Sequence, residues 1–126
     1  MRFFRHLFKK FSYAFRGMGR AFQTDNSFKY HFAFSVLVVV FGFVFNLSVL
    51  EWVEITFAIG LVVISELFNT AIEYLVRILI KEHHQEAGLL LDISAGAVLF
   101  AALVALVIGL IIFGPRVVKF VSDLFG

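Results

Sequence analysis

Three long apolar stretches constrain this chain more than any other feature: 32–50, 52–76 and 89–113 of its 126 residues. At 1.5 Å per residue, each is long enough to cross a hydrocarbon core of about 30 Å as a helix. Composition agrees with that reading, since 61% of residues are hydrophobic, 16% are charged and 18 are phenylalanine. Soluble domains average about 45–50% apolar and about 25% charged residues. A soluble protein this small lacks the interior to hide so much apolar surface. A disordered chain would be polar and poor in aromatics. Cysteine is absent, which excludes disulfide frameworks, thiolate metal sites and cysteine nucleophiles. No internal repeat, soluble linker or second domain is visible, so 1–126 reads as a single all-α membrane domain.

The segment 1–30 reads as a surface helix and a turn. Phe4, Phe8, Phe11, Phe15, Met18 and Phe22 recur at steps of three and four, while Arg5, Lys9, Arg16 and Arg20 share another face. Aromatics opposite cations describe a helix lying in the headgroup plane. A secretory signal is disfavoured because charges continue to Arg20 with no uninterrupted apolar run. A nucleic-acid arm is disfavoured because the opposite face is too apolar. Seven of the eleven basic residues lie in the first thirty positions, and the connector Asn46–Glu54 has acidic residues only. By the positive-inside rule the N-terminus and the connector Arg77–Glu86 are cytoplasmic, and the tail after Pro115 is outside. Arg116 and Lys119 count weakly against that orientation.

Charged residues inside a span mark function by default, because an unpaired charge there costs several kcal/mol. The second span holds two, Glu66 and Glu73, with Asn69 and Thr70 between them on one helix face. The resulting polar stripe is about 10 Å long. The deeper Glu66 suits a general base, whereas Glu73 suits a magnesium ion, which takes one or two carboxylates plus phosphate and water. A purely structural role would pair Glu73 with Arg77, four residues on, but no cation in the second span reaches Glu66. Asp92 opens the third span, where it either caps the helix or joins the acidic site. Glu82, His83 and His84 lie on the intervening loop. Ala97, Ala101, Ala105 and Gly109 repeat every four residues, a spacing that lets helix backbones approach closely in lipid and suits contacts with other subunits.

The stretch Ser65-Glu66-Leu67-Phe68-Asn69-Thr70-Ala71-Ile72-Glu73, followed by Asp92-Ile93-Ser94-Ala95-Gly96-Ala97-Val98-Leu99, resembles the small prokaryotic diacylglycerol kinase and undecaprenol kinase family. The resemblance extends from Phe11-Ser12-Tyr13-Ala14-Phe15-Arg16-Gly17 through Thr24–His31 to the Ile111-Ile112-Phe113-Gly114-Pro115 ending. It implies a homotrimer of three-span subunits in the prokaryotic inner membrane, moving the γ-phosphate of MgATP to a lipid hydroxyl. By that resemblance Glu66 is the catalytic base, with Asn69 beside it. Glu73 and Asp25 hold Mg²⁺, with Asp25 standing where the family more often has Glu. His6, Tyr13, Asp25, Glu73, Arg77, Glu82, His84 and Asp92 fall on nucleotide-contacting positions. Glu66 and Ala95 fall on the lipid-substrate side.

Two residues depart from the family pattern. Arg77 stands where the family has Asp, and Leu91 stands where it has Lys. Either Arg77 takes over the phosphate contact that Leu91 cannot make, or it pairs with Glu73, blocks the metal and leaves a non-catalytic scaffold. An ion- or proton-coupled transporter, a third class, is disfavoured because the spans contain no broken, Gly/Pro-interrupted pair.

Overall fold

The computed structural model describes residues 1–126 as four helices with no strand: α1 (Arg2–Thr24), α2 (Asn26–Val44), α3 (Val49–Leu79) and α4 (Gln85–Phe125). The last three are long and apolar enough to cross a membrane. This matches the expected surface helix followed by three spans.

A single residue separates α1 from α2. Asp25 is extended (φ −106°, ψ 111°), ends α1 through its N–H on the Ala21 carbonyl, and starts α2 by accepting the Ser27 N–H on Oδ1. Such a side-chain acceptor satisfies one of the amides that every helix start leaves unpaired. Phe22 then meets the rings of Phe28 and Phe32 edge-on, which folds the end of α1 against α2.

The first span differs from its expected bounds of 32–50. The helix starts six residues earlier, at Asn26, and ends at Val44. Asn46 adopts the left-handed region at φ 50°, and Ser48 begins α3 with a capping box to Glu51. Periodicity alone does not reveal this stop, because Leu47, Val49 and Leu50 continue the apolar run across the turn. The α2–α3 hairpin closes where Gly42 lies against the Trp52 ring.

Antiparallel packing of α3 on α4 forms the core. Ile55, Ala58, Val62, Glu66 and Asn69 recur at steps of three and four on the buried face of α3, facing Ala87, Ser94, Val98, Ala101 and Ile112 of α4. Leu47, Ile55 and Ile112 form the apolar cluster at the hairpin end, with Trp52 and Phe113 packed on it. There Arg116 grips both carboxylate oxygens of Glu51 at 2.6 and 2.7 Å, and its guanidinium also takes the Ile112 carbonyl at 2.7 Å. The tail beyond residue 113 is therefore helical, and Pro115 lies inside α4. Glu51 and Glu73 are roughly 33 Å apart along α3, close to one hydrocarbon thickness.

The small-residue stripe on α4 divides between two surroundings. Ala101 is buried against α3, whereas Ala105 and Gly109 line an open groove between α2 and α4. That groove has a volume of about 700 Å³, and 17 of its 20 lining residues are hydrophobic. It runs from Tyr30 and His31 at one end to Phe113 and Val117 at the other.

Candidate active site

The expected carboxylates gather at the end of the bundle opposite the hairpin. Glu66 lies in the α3–α4 seam, one helical turn from Val62, and its side chain is only 2% exposed. His31, arriving from α2, places Nε2 3.0 Å from Glu66 Oε1. Glu66 Oε2 is buried and has no partner. A buried polar atom left unpaired in a native structure points to strain, to catalysis or to a ligand that completes it.

The remaining polar residues form two hydrogen-bonded strings beside Glu66. The Ser94 hydroxyl donates to Asn69 Oδ1 at 2.8 Å, and the Asn69 amide donates to Glu73 Oε1 at 3.0 Å. The Thr70 hydroxyl donates to Asp25 Oδ2 at 3.0 Å, so the α1–α2 hinge is tied to α3. Helix geometry explains the clustering: Glu66, Asn69, Thr70 and Glu73 share one face of α3, and antiparallel α4 brings Ser94 to Asn69.

These donors suit magnesium on phosphate and do not form a complete protein cage. No three His, Asp or Glu side chains converge as metal ligands. Asp25 and Glu73 supply hard carboxylate oxygens, and Asn69 engages only Oε1 of Glu73. Magnesium is usually held by one or two carboxylates together with substrate phosphate and water, so the pair fits.

Several expected residues are placed elsewhere. Asp92 is not a helix cap, because α4 begins at Gln85 with His84 in the cap position; Asp92 lies two turns inside the helix and is exposed. The loop after α3 is shorter than hydropathy suggests, since Glu86–Leu91 are already helical. Arg77 does not pair with Glu73; its guanidinium sits over the Tyr74 ring at 5.2 Å from the centroid. The proposed block on the metal carboxylate therefore does not form. Ala95, Glu82 and His84 are exposed and apart from the polar strings. On α1, Tyr13 and His6 stand roughly 18 and 28 Å along the helix from Asp25. Arg16 lies over the Tyr13 ring.

Sequence reading gave no role to His31 or Ser94 and treated Thr70 only as a member of the stripe. The available signal for His31 was a titratable side chain entering the first apolar run, but its partner depends on how α2 crosses α3. Ser94 looks like an ordinary small residue of a membrane helix until Asn69 is seen opposite it.

Comparison with known proteins gives the family. The family model described as prokaryotic diacylglycerol kinase matches residues 12–113. The chain is 39% identical over 109 residues to an undecaprenol kinase of Bacillus subtilis, covering 86% of this chain and 89% of that one. It is 33% identical over 105 residues to a diacylglycerol kinase of Synechocystis, covering 82% of this chain and 60% of that one. It is 28% identical over 104 residues to a diacylglycerol kinase of Escherichia coli, covering 82% and 85%. The matched region contains Asp25, Glu66, Asn69 and Glu73, the residues the fold brings to one end of the bundle, and the chain belongs to the prokaryotic diacylglycerol kinase family.

Proposed function

We propose that this chain, a lipid kinase by its family, transfers the γ-phosphate of ATP to the hydroxyl of a polyprenol such as undecaprenol. The transfer takes place at the cytoplasmic surface of the inner membrane, in a homotrimer. The carrying observation is the buried, unpartnered Oε2 of Glu66, whose other oxygen meets His31, a residue lining one end of an apolar groove. An alcohol on a long hydrocarbon tail fits both: the tail lies in the groove and the hydroxyl meets the carboxylate. The higher identity to an undecaprenol kinase than to the diacylglycerol kinases supports a polyprenol over diacylglycerol. The thin three-helix bundle, with large apolar side chains exposed along every span, supports association with further copies.

Phosphoryl transfer relies on positioning and charge stabilisation more than on covalent chemistry. Glu66 Oε2 accepts the proton of the attacking hydroxyl. Asp25 and Glu73 would hold magnesium, and Thr70 and Asn69 orient those two carboxylates. Bound there, magnesium would offset the charge on the phosphate oxygens. Arg77, unpaired with Glu73, is available to a phosphate at the membrane surface. Basic residues of α1, together with Lys29, attract ATP and anionic headgroups.

Labelled MgATP supplied to the purified protein in mixed micelles with undecaprenol or diacylglycerol tests this reading. Label should enter undecaprenol and fall by about a hundredfold or more in Glu66→Gln, the usual scale of general-base loss. Absence of label in both lipids, with folded and trimeric protein, would overturn it. Faster labelling of diacylglycerol would overturn the choice of lipid.

A further inference from the structure

His31 belongs to both halves of the site. Its imidazole Nε2 stands 3.0 Å from Glu66 Oε1, and the same residue lines the head of the apolar groove. The chemistry proposed above uses Glu66 and leaves His31 without a role.

The terminal torsion of a glutamate is broad and roughly two-fold, so an unheld carboxyl presents either oxygen over a range of directions. In this site the choice is made. Oε1 is engaged by His31, and Oε2 remains buried and free. The backbone that carries the imidazole is set by local contacts. The Ser35 hydroxyl donates to the His31 carbonyl at 2.8 Å, and the Asp25 cap sets the register of α2 less than two turns earlier. His31 is about one-third exposed, so it reaches a fully buried carboxyl from the edge of the groove.

We infer that His31 is a positioning residue for phosphoryl transfer, holding Glu66 through Oε1 so that Oε2 faces the hydroxyl of a lipid lying in the groove. The inference rests on the lipid-kinase reading. In the step it serves, the acceptor oxygen forms a bond to the γ-phosphorus as the bond from that phosphorus to the β–γ bridging oxygen breaks. The hydroxyl proton passes to Glu66 Oε2, and the bridging oxygen leaves on ADP with the bonding electron pair. His31 touches none of the reacting atoms and acts through Glu66.

The experiment compares His31→Gln with His31→Leu in the full chain, in mixed micelles with MgATP and undecaprenol. Both side chains are close to imidazole in size, but only glutamine carries an N–H that can hold Oε1. His31→Leu should lose about a hundredfold in kcat, the scale of a misplacement of about 1 Å, while both KM values stay within about twofold. His31→Gln should recover at least about tenfold of that loss. In a Glu66→Gln background, His31→Leu should change the residual rate by less than about threefold, because coupled residues are not additive.

An undecaprenol KM that rises while kcat holds would make His31 a groove wall and overturn the inference. Equal losses in His31→Gln and His31→Leu, or an additive loss in the double variant, would overturn it too. Should His31→Leu fail to fold by thermal unfolding in detergent, His31→Asn replaces it, its amide being too short to reach Oε1. A wild-type protein that labels neither lipid, or a Glu66→Gln variant that keeps the full rate, removes the kinase reading itself. With an active wild type and a slow Glu66→Gln variant, the His31 variants bear on positioning alone.

Discussion

The Thr70 hydroxyl donates to Asp25 Oδ2 at 3.0 Å, joining residues 45 positions apart and fixing a hinge carboxylate over the middle span. Asp25 also accepts the Ser27 amide on Oδ1, so each of its oxygens accepts one hydrogen bond.

Thr70→Val removes that hold and keeps the side-chain shape. Hydrogen bonds to charged groups contribute about 1.5–3 kcal/mol. The magnesium concentration for half-maximal activity should rise about tenfold, with kcat at saturating magnesium within about twofold of wild type. Magnesium titration of the kinase rate measures this. An unchanged midpoint would show that Thr70 does not support the metal carboxylate.

Arg77→Ala decides between the two roles open to that residue. Arg77 rests on Tyr74, a contact worth about 0.5–1 kcal/mol at an exposed site, and leaves Glu73 to Asn69. The ATP KM should therefore rise about tenfold without any gain in kcat. A faster variant would mean that Arg77 restrains the metal carboxylate in the working enzyme.

The groove gives a prediction that leaves the polar residues untouched. Ala105 lines it together with Leu106 and Val38, so Ala105→Phe should fill the space a lipid tail needs. The undecaprenol KM should rise about tenfold, equivalent to about 1.4 kcal/mol, while the ATP KM stays unchanged. Parallel titrations of the two substrates check it, and equal effects on both would argue against a tail in the groove.

The hairpin end can be probed with the single tryptophan. A Cβ added at Gly42 would meet the Trp52 ring at 2.5 Å, so Gly42→Ala must displace the indole. Overpacking of this kind costs about 1–3 kcal/mol. The thermal midpoint should fall, and Trp52 emission should shift as the ring leaves Phe43 and the Leu47, Ile55, Ile112 cluster. Unaltered emission would contradict the close approach.

Much of the fold was legible because a bilayer demands long apolar helices and interfacial cations, and both are local properties of the chain. Boundaries were less legible. The Asn46 turn is hidden within a continuing apolar run, and α4 extends past Pro115 because Arg116 anchors on Glu51 from 65 residues earlier. Asp92 suggested a helix start only because the polar turn before it, Gln85–Gly88, does not look like a span, yet helix formation there does not depend on hydropathy.

The sequence by itself determined that Glu66 and Glu73 share a face with Asn69 and Thr70, since that follows from 3.6 residues per turn. It also made an apolar four-helix membrane chain unavoidable. Only the tertiary structure decided which groups those carboxylates meet. Asp25 reaches Thr70, Ser94 reaches Asn69 and His31 reaches Glu66 through the crossing of separate helices, and no spacing along one helix encodes a crossing. The Glu73–Arg77 pair, allowed by spacing, gave way to Asn69 on Glu73 and Tyr74 under Arg77, because side chains choose among neighbours in three dimensions. Local periodicity places residues on a face; packing selects their partners, and with them the oxygen of Glu66 that is left free.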